Sequence, residues 1–379
     1  MTGTHPRRIL MTADTVGGVW TYALELARAL GSYGVEVALA TMGAAPTREQ
    51  QEEARGVFNL SLFKSEYRLE WMDDPWADVR RAGEWLLHLE GRLRHEVVHL
   101  NGYAHAALPW CSPTLVVGHS CVLSWWRAVK SEEAPAEWAR YREEVTRGLR
   151  AAGAVAAPTR AMLGALEELY GPLPPRARVV PNGRDPRLFA PGRKEEFVLT
   201  AGRLWDEAKN VAALERVAPR LRWPVYVAGE ADHPGRAAER GRRPGGVRLL
   251  GKLPPKSLAM WLSSAAVYAL PARYEPFGLS ALEAALSGCA LVLGDIASLR
   301  EVWADAAVYV PPGDDEALAA ALEELAGDGA QREELARRAG ERALLYTPRL
   351  MAEGYLAAYA ALMGCPDSKE REVAAACAS

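Results

Sequence analysis

Residues Leu270 to Gly294 read LPARYEPFGLSALEAALSGCALVLG, and their pattern decides the fold. The stretch leaves an apolar strand, turns through Pro276 and Gly278, runs into an amphipathic helix, and enters a second apolar strand after Gly288. Strand, helix and strand at this spacing make a βαβ unit, whose crossover joins parallel neighbours in one sheet. Two acids, Glu275 and Glu283, bracket seven residues. The first falls in the strand-to-helix turn and the second about one and a half turns into the helix, so both can face the carboxyl edge of the sheet, where open α/β folds bind ligands. Carboxylates placed there can accept hydrogen bonds from the hydroxyls of a sugar or ribose.

The same alternation extends outward in both directions. Strands are expected over Phe197–Ala201, Val225–Ala228, Val247–Gly251, Val267–Leu270, Ala290–Leu293 and Ala307–Val310, with helices over Ala208–Leu221 and Ser257–Leu262 and two more over Asp314–Ala326 and Arg332–Tyr346. In the first half, Arg8–Ala13 reads as a strand that enters ADTVGG, followed by a helix from about Val19 to Leu30. Val35–Thr41, Val57–Phe63, Glu96–Leu100, Leu115–Gly118, Ala154–Ala157 and Arg178–Val180 continue the strands, and Pro75–Leu93, Glu132–Ala151 and Thr159–Tyr170 the helices. Repeated βα units predict a parallel sheet in each half. At 379 residues the chain exceeds what one hydrophobic core usually serves. We expect an N-terminal domain over 1–186, a second domain over 187–347, a helix over 348–364 that crosses back to the first domain, and a disordered tail over 365–379. The turn-rich PNG segment and Pro186 to Lys194 supply the linker.

A net charge of -3 gives no support for wrapping nucleic acid. Five cysteines, at 111, 121, 289, 365 and 377, show no close pair or CxxC spacing, which reads as a reduced, cytoplasmic compartment. No signal peptide and no bilayer-length apolar run is read, while peripheral membrane contact stays open. No GxGxxG follows the first strand, which argues against a dinucleotide enzyme.

Several residues carry two readings. Gly17 and Gly18, at the entrance to the first helix, either let a phosphate or sugar approach free backbone N–H groups or simply form a tight turn. His119 follows a strand, where it can bond a substrate hydroxyl or neighbouring backbone. It has no Asp, Glu or second His in motif spacing, so neither a metal site nor a triad is claimed. Eight of the twelve tryptophans precede residue 140. Most serve a core, and the pair Trp125 and Trp126, placed in a loop after a strand, are the acceptor-side candidates. In AGRLWDEAKN, Arg203 follows a strand and Lys209 stands near the next helix start. Two cations converging there suit a diphosphate, although each also has a structural reading as a surface lysine or an ion-paired arginine.

Taken together, GGVWTYALELARAL, VVPNGRD, GRLWDEAKN and EPFGLSALEAALSGCALVLG resemble a retaining glycosyltransferase of the GT-B fold, in family 4 (glycosyl transferases group 1). The resemblance covers almost the whole chain. It implies two Rossmann-like β/α/β domains facing across a cleft, with the nucleotide-sugar donor held mainly by the second and the acceptor by the first. By the same match Glu283 binds the donor ribose and Glu275 the transferred sugar, and Phe277, Gly278 and Leu279 approach sugar and diphosphate by their backbone. Arg203 and Lys209 neutralise the leaving diphosphate, although the interval between them is one residue longer than the family's. Gly17 and Gly18 approach the diphosphate from the other domain, His119 lies near the donor sugar, and Gly229, Glu230, Lys252 and Leu253 border the phosphates and base. The implied reaction moves a hexosyl group from a UDP- or GDP-hexose to a hydroxyl of a saccharide, natural product or lipid-linked acceptor. No cofactor or metal is expected, since the two cations can compensate the leaving group. A GT-B-like nucleotide-sugar epimerase and a non-catalytic nucleotide-sugar-binding protein are the alternatives.

Overall fold

The structure is a computed structural model in which residues 5–230 and 246–364 are described. The tail expected over 365–379 lies outside the described residues. The chain forms two compact units. Among the described residues the first comprises 5–124, 133–183 and 348–364, and the second 125–132, 184–230 and 246–347.

The first unit is built on seven parallel strands in the order β3-β2-β1-β4-β5-β6-β7. They are β1 (Arg8–Asp14), β2 (Glu36–Met42), β3 (Leu60–Lys64), β4 (Val97–Leu100), β5 (Thr114–Val117), β6 (Ala154–Ala157) and β7 (Ala177–Val179). The connecting helices are α1 (Gly18–Gly31), α2 (Arg48–Arg55), α3 (Trp76–Leu93), α5 (Ala139–Ala151) and α6 (Arg160–Tyr170), while α4 (Val122–Lys130) begins in this unit and from Trp125 on is counted with the second. Strands β4, β5 and β6 are buried at every position. That is why they read as continuous apolar runs rather than alternating ones, as expected of a sheet covered by helices on both faces.

The second unit carries six parallel strands in the order β10-β9-β8-β11-β12-β13. They are β8 (Glu195–Ala201), β9 (Val225–Ala228), β10 (Val247–Gly251), β11 (Ala265–Leu270), β12 (Ala290–Gly294) and β13 (Val308–Val310). Its helices are α7 (Val211–Val217), α8 (Pro255–Ser264), α9 (Leu279–Leu286), α10 (Ala297–Trp303), α11 (Asp315–Gly327) and α12 (Gly329–Ala343). The last helix, α13 (Pro348–Leu362), packs against α1 and β5, and its Met351, Tyr355 and Tyr359 enter the core of the first unit. Both sheets have the Rossmann-like arrangement, and in both the strand order reverses beside the first strand, between β1 and β4 and between β8 and β11. Such a switch point opens a crevice at the carboxyl ends of the two strands.

Three local differences from the sequence reading have physical causes. Helix α2, REQQEEAR, has no apolar stripe, so periodicity passes over it; its start is marked by a capping box in which Thr47 and Gln50 satisfy each other's backbone N–H. Trp125 and Trp126 stand on helix α4 and not in a loop. The helix expected over Ala208–Leu221 is broken: a 3-10 turn covers Glu207–Lys209, Asn210 takes the left-handed conformation at φ 55°, and Pro219 closes α7 in a further 3-10 turn. Among the described residues no helix is long and apolar enough to cross a membrane.

Candidate active site

In the second unit the crevice begins where β8, β9 and β10 end. Gly229 stands at φ +148°, and a Cβ there would lie 1.7 Å from the Gly202 carbonyl oxygen, so only glycine fits. The Gly202 N–H donates to the Ala228 carbonyl at 3.0 Å, and the Gly229 N–H donates to the Gly251 carbonyl at 2.9 Å. These contacts bring three strand ends close together. Beside them the Leu204 N–H donates to the Glu230 carbonyl at 2.9 Å, Lys252 Nζ pairs with Glu230 at 3.2 Å in an exposed bridge, and Leu253, partly buried, packs against the hydrophobic core of this unit.

From Gly202 the chain arcs to Lys209. The Arg203 guanidinium lies over the Trp205 ring and donates from Nη2 to Asp206 at 2.8 Å. Asp206 also accepts from Trp125 Nε1 and from the Ala208 N–H, each at 3.0 Å. Burial by itself would raise the Asp206 carboxyl, yet the Arg203 and Lys209 cations with these two donors hold it below its ordinary value. Lys209 crosses to the neighbouring strand end and forms an ion pair with Glu275. The second end of the arc is pinned by Asn210, whose Nδ2 donates to the Pro271 carbonyl at 2.9 Å and the Pro312 carbonyl at 2.7 Å.

After β11 the turn quoted at the outset forms the other wall. Glu275 accepts the Gly278 N–H at 3.0 Å on Oε1 and meets Lys209 on Oε2, while its own carbonyl accepts from Ser298 Oγ at 2.6 Å. Gly278 stands at φ +89° and precedes α9, whose first residue is Leu279. Backbone N–H groups at that helix start form the positive end of the helix dipole. The Phe277 side chain is buried edge-on against Tyr346, so only its backbone borders the crevice. One turn further on, Glu283 Oε1 lies 2.8 Å from Arg184 Nε in a pair whose side chains are 9% and 12% exposed. Thus Arg203, Lys209, Glu275 and Glu283 all belong to the β8–β11 switch region, and each of the four faces an opposite charge.

The first unit places its candidates at the corresponding position. Asp14 ends β1, and its Oδ1 accepts from the N–H groups of Val16 and Gly17 at 3.0 and 3.1 Å. Gly17 caps α1 without a side-chain hydrogen bond and Gly18 opens it. His119, after β5, has Nε2 2.8 Å from Asn101 Oδ1, and its ring packs edge-on to Tyr22 at 4.4 Å between centroids. Trp125 and Trp126 belong to the second unit, where the Trp125 indole N–H is engaged by Asp206 and Trp126 packs edge-on to Trp125 at 5.8 Å. Among the described residues no three His, Cys, Asp or Glu side chains come together in a group that could hold a metal ion.

Sequence reading passed over Asp206, Arg184 and Asn101. Asp206 carried a signal, since Asp followed at the second position by the N–H it caps begins many helical turns. Arg184 lies in the PNGRD segment far upstream of its partner, and nothing local marks the pairing.

Comparison with known proteins gives the arrangement a family. A model described as Glycosyltransferase Family 4 matches residues 16–188, and one described as Glycosyl transferases group 1 matches residues 195–328. The chain is 28% identical to a D-inositol 3-phosphate glycosyltransferase of Kribbella flavida over 90% of each chain. It is 30% identical to a phosphatidyl-myo-inositol mannosyltransferase of Mycolicibacterium smegmatis over 49% of this chain and 52% of that one. A sucrose-phosphate synthase from Thermosynechococcus elongatus shares the fold with a TM-score of 0.74 at 18% identity, covering 92% of this chain and 97% of that one. Anabaena HepE, solved in complex with UDP-glucose, does so with a TM-score of 0.72 at 15% identity, covering 92% and 98%. With one family model on each half and the same two-sheet architecture, the chain is a GT-B glycosyltransferase related to glycosyltransferase family 4 and the glycosyl transferases of group 1.

Proposed function

We propose that the protein moves a hexosyl group from a UDP- or GDP-hexose to an acceptor hydroxyl with retention of anomeric configuration. The observation that carries this reading is the gathering of Arg203, Lys209, Glu275 and Glu283 at the β8–β11 switch region. When the glycosidic bond breaks, negative charge builds on the departing diphosphate and positive character on the sugar. Cations and backbone N–H groups aimed at the diphosphate favour that state over the bound substrate. Arg203 and Lys209 supply the charge, and Gly17 and Gly18 offer backbone N–H groups at the start of α1. Glu283 takes the ribose hydroxyls, Glu275 with the Gly278 turn takes the sugar, and His119 lies on the sugar side. Gly229, Glu230, Lys252 and Leu253 border the phosphates and base. The acceptor oxygen bonds the anomeric carbon on the face the diphosphate leaves, and the leaving oxygen takes the acceptor proton. That balance needs no separate base. Trp125 and Trp126 are the aromatic candidates for the acceptor side.

In the free protein both cations are occupied by carboxylates, so donor binding exchanges Asp206 and Glu275 for phosphate and sugar contacts. The test is a panel of UDP- and GDP-hexoses with pooled acceptors that include inositol phosphates and saccharides, with product anomers assigned by NMR. Transfer with retention, persisting in EDTA, is expected. An inverted product, or donor epimerised without an acceptor, overturns the reading.

A further inference from the structure

The carboxyl end of the first sheet holds a polar network that the transfer chemistry above does not explain. Asn101, just past β4, donates from Nδ2 to the Thr12 carbonyl at 2.7 Å, and its backbone N–H donates to Thr12 Oγ1 at 2.9 Å. A carbonyl can only accept, so the amide nitrogen is held on that side and Oδ1 faces the other way. There Oδ1 lies 2.8 Å from His119 Nε2 and 3.2 Å from His99 Nε2. An amide oxygen also only accepts, so both Nε2 atoms carry their protons. His99 Nδ1 is then a lone pair, and the Tyr359 hydroxyl of α13 donates to it at 2.6 Å. The Tyr22 hydroxyl, 3.1 Å from His99 Nε2, accepts a second branch of that donor. Burial pushes both imidazoles down to about 3, so neither ring is cationic near neutral pH. One atom of the network is left over. Among the described residues His119 Nδ1 has no hydrogen-bond partner.

We propose that Asn101 is a positioning residue that locks His119 as its Nε2–H tautomer, so that Nδ1 presents only a lone pair to a hydroxyl of the donor sugar. This rests on the placement of His119 on the sugar side in the proposed function. Thr12 fixes the amide, and Tyr359 acting through His99 fixes the second proton that Oδ1 accepts. His119 therefore reads the sugar as an acceptor. A hydroxyl, which can donate, satisfies Nδ1, while a fluorine or methoxy group at the same position cannot. Without Asn101 the ring is free to put its proton on Nδ1, where it would meet the sugar hydroxyl as a donor instead.

Long-range proton–nitrogen NMR of the full chain labelled with 15N-histidine separates the tautomers by their coupling patterns, with His119→Gln and His99→Gln assigning the signals. Both rings are expected as Nε2–H at pH 7 without any ligand. Asn101→Leu should turn His119 into a tautomer mixture and lower kcat on the working donor about tenfold, the loss of one hydrogen bond, with the acceptor KM unchanged. If Asn101→Leu does not fold, Tyr359→Phe keeps the ring and removes the donor to His99, which should mix the His99 tautomers and leave His119 locked. A wild-type His119 protonated on Nδ1 or on both nitrogens overturns the proposal, as does an unchanged His119 pattern in folded Asn101→Leu. Absence of turnover on every nucleotide sugar would count against the proposed function alone, because the tautomer pattern is read in the free protein.

Discussion

The pair between Glu283 and Arg184 lets the structural and donor-binding roles of one carboxylate be separated. With side chains only 9% and 12% exposed, neither charge can be left to water when the other is removed. Glu283→Ala takes away the carboxylate that faces the guanidinium, which also lies over the Phe189 ring, and breaking such a pair from one side costs about 3 kcal/mol. For a domain of this size that lowers the unfolding midpoint by roughly 6–12 °C. The double substitution Arg184→Leu with Glu283→Leu removes both charges and should return stability to within about 1 kcal/mol of the parent, since an apolar replacement of a buried pair is close to neutral. Donor use should follow a different order. Losing a carboxylate that accepts from ribose costs about 1.5–3 kcal/mol per hydrogen bond, so the donor KM rises roughly tenfold to more than a hundredfold in the double variant as well. Thermal unfolding and donor saturation kinetics of the two variants and of Glu283→Gln decide the matter. An unchanged midpoint in Glu283→Ala would refute the buried-pair argument. Parental donor KM in the stable double variant would refute the ribose role.

Three further outcomes follow from the same geometry. Arg203→Ala should fold normally, since Asp206 retains the N–H groups of Trp125 and Ala208, but turnover should fall about a hundredfold or more, as for removal of one transition-state donor; single-turnover kinetics near the parent value would exclude the role. Gly229→Ala should be lost to the insoluble fraction or destabilised by at least about 3 kcal/mol, because its Cβ would overlap the Gly202 carbonyl oxygen; a parental urea midpoint would contradict it. His99, which is buried, and His119, which is partly so, stay neutral down to about 3, whereas in the unfolded chain they take protons near 6.5. The unfolded state thus binds more protons between those values, so stability is full above about pH 6.5 and declines as pH falls through that window, which urea titrations from pH 7 to 4 should register; a flat profile down to pH 5 would be inconsistent.

Much of this architecture was legible because parallel strands buried on both faces are apolar without interruption, and the turns between them are marked by glycine and proline. Glu275 and Glu283 were readable from their spacing on a turn and a helix. Their partners were not. Arg184 and Lys209 reach them across neighbouring strand ends, and periodicity carries no information on which loops a sheet brings together. The pair Trp125 and Trp126 was misplaced for a related reason, since α4 is short and its start after Cys121 has no residue with a capping signature stronger than that of a loop. Asn101 illustrates a further limit: its importance lies in which of its two amide atoms faces Thr12, a property of three dimensions only.

The left-handed Asn210 has a consequence for how such a chain tolerates change in length. Its amide ties the downstream end of the Arg203–Lys209 arc to the loops after β11 and β13, while the contact of Gly202 with Gly229 ties the upstream end. Between two fixed posts, a change in length is confined to the arc that contains Trp205 and Asp206. A residue inserted between those posts would leave the register on both sides in place, so Lys209 would keep its pair with Glu275.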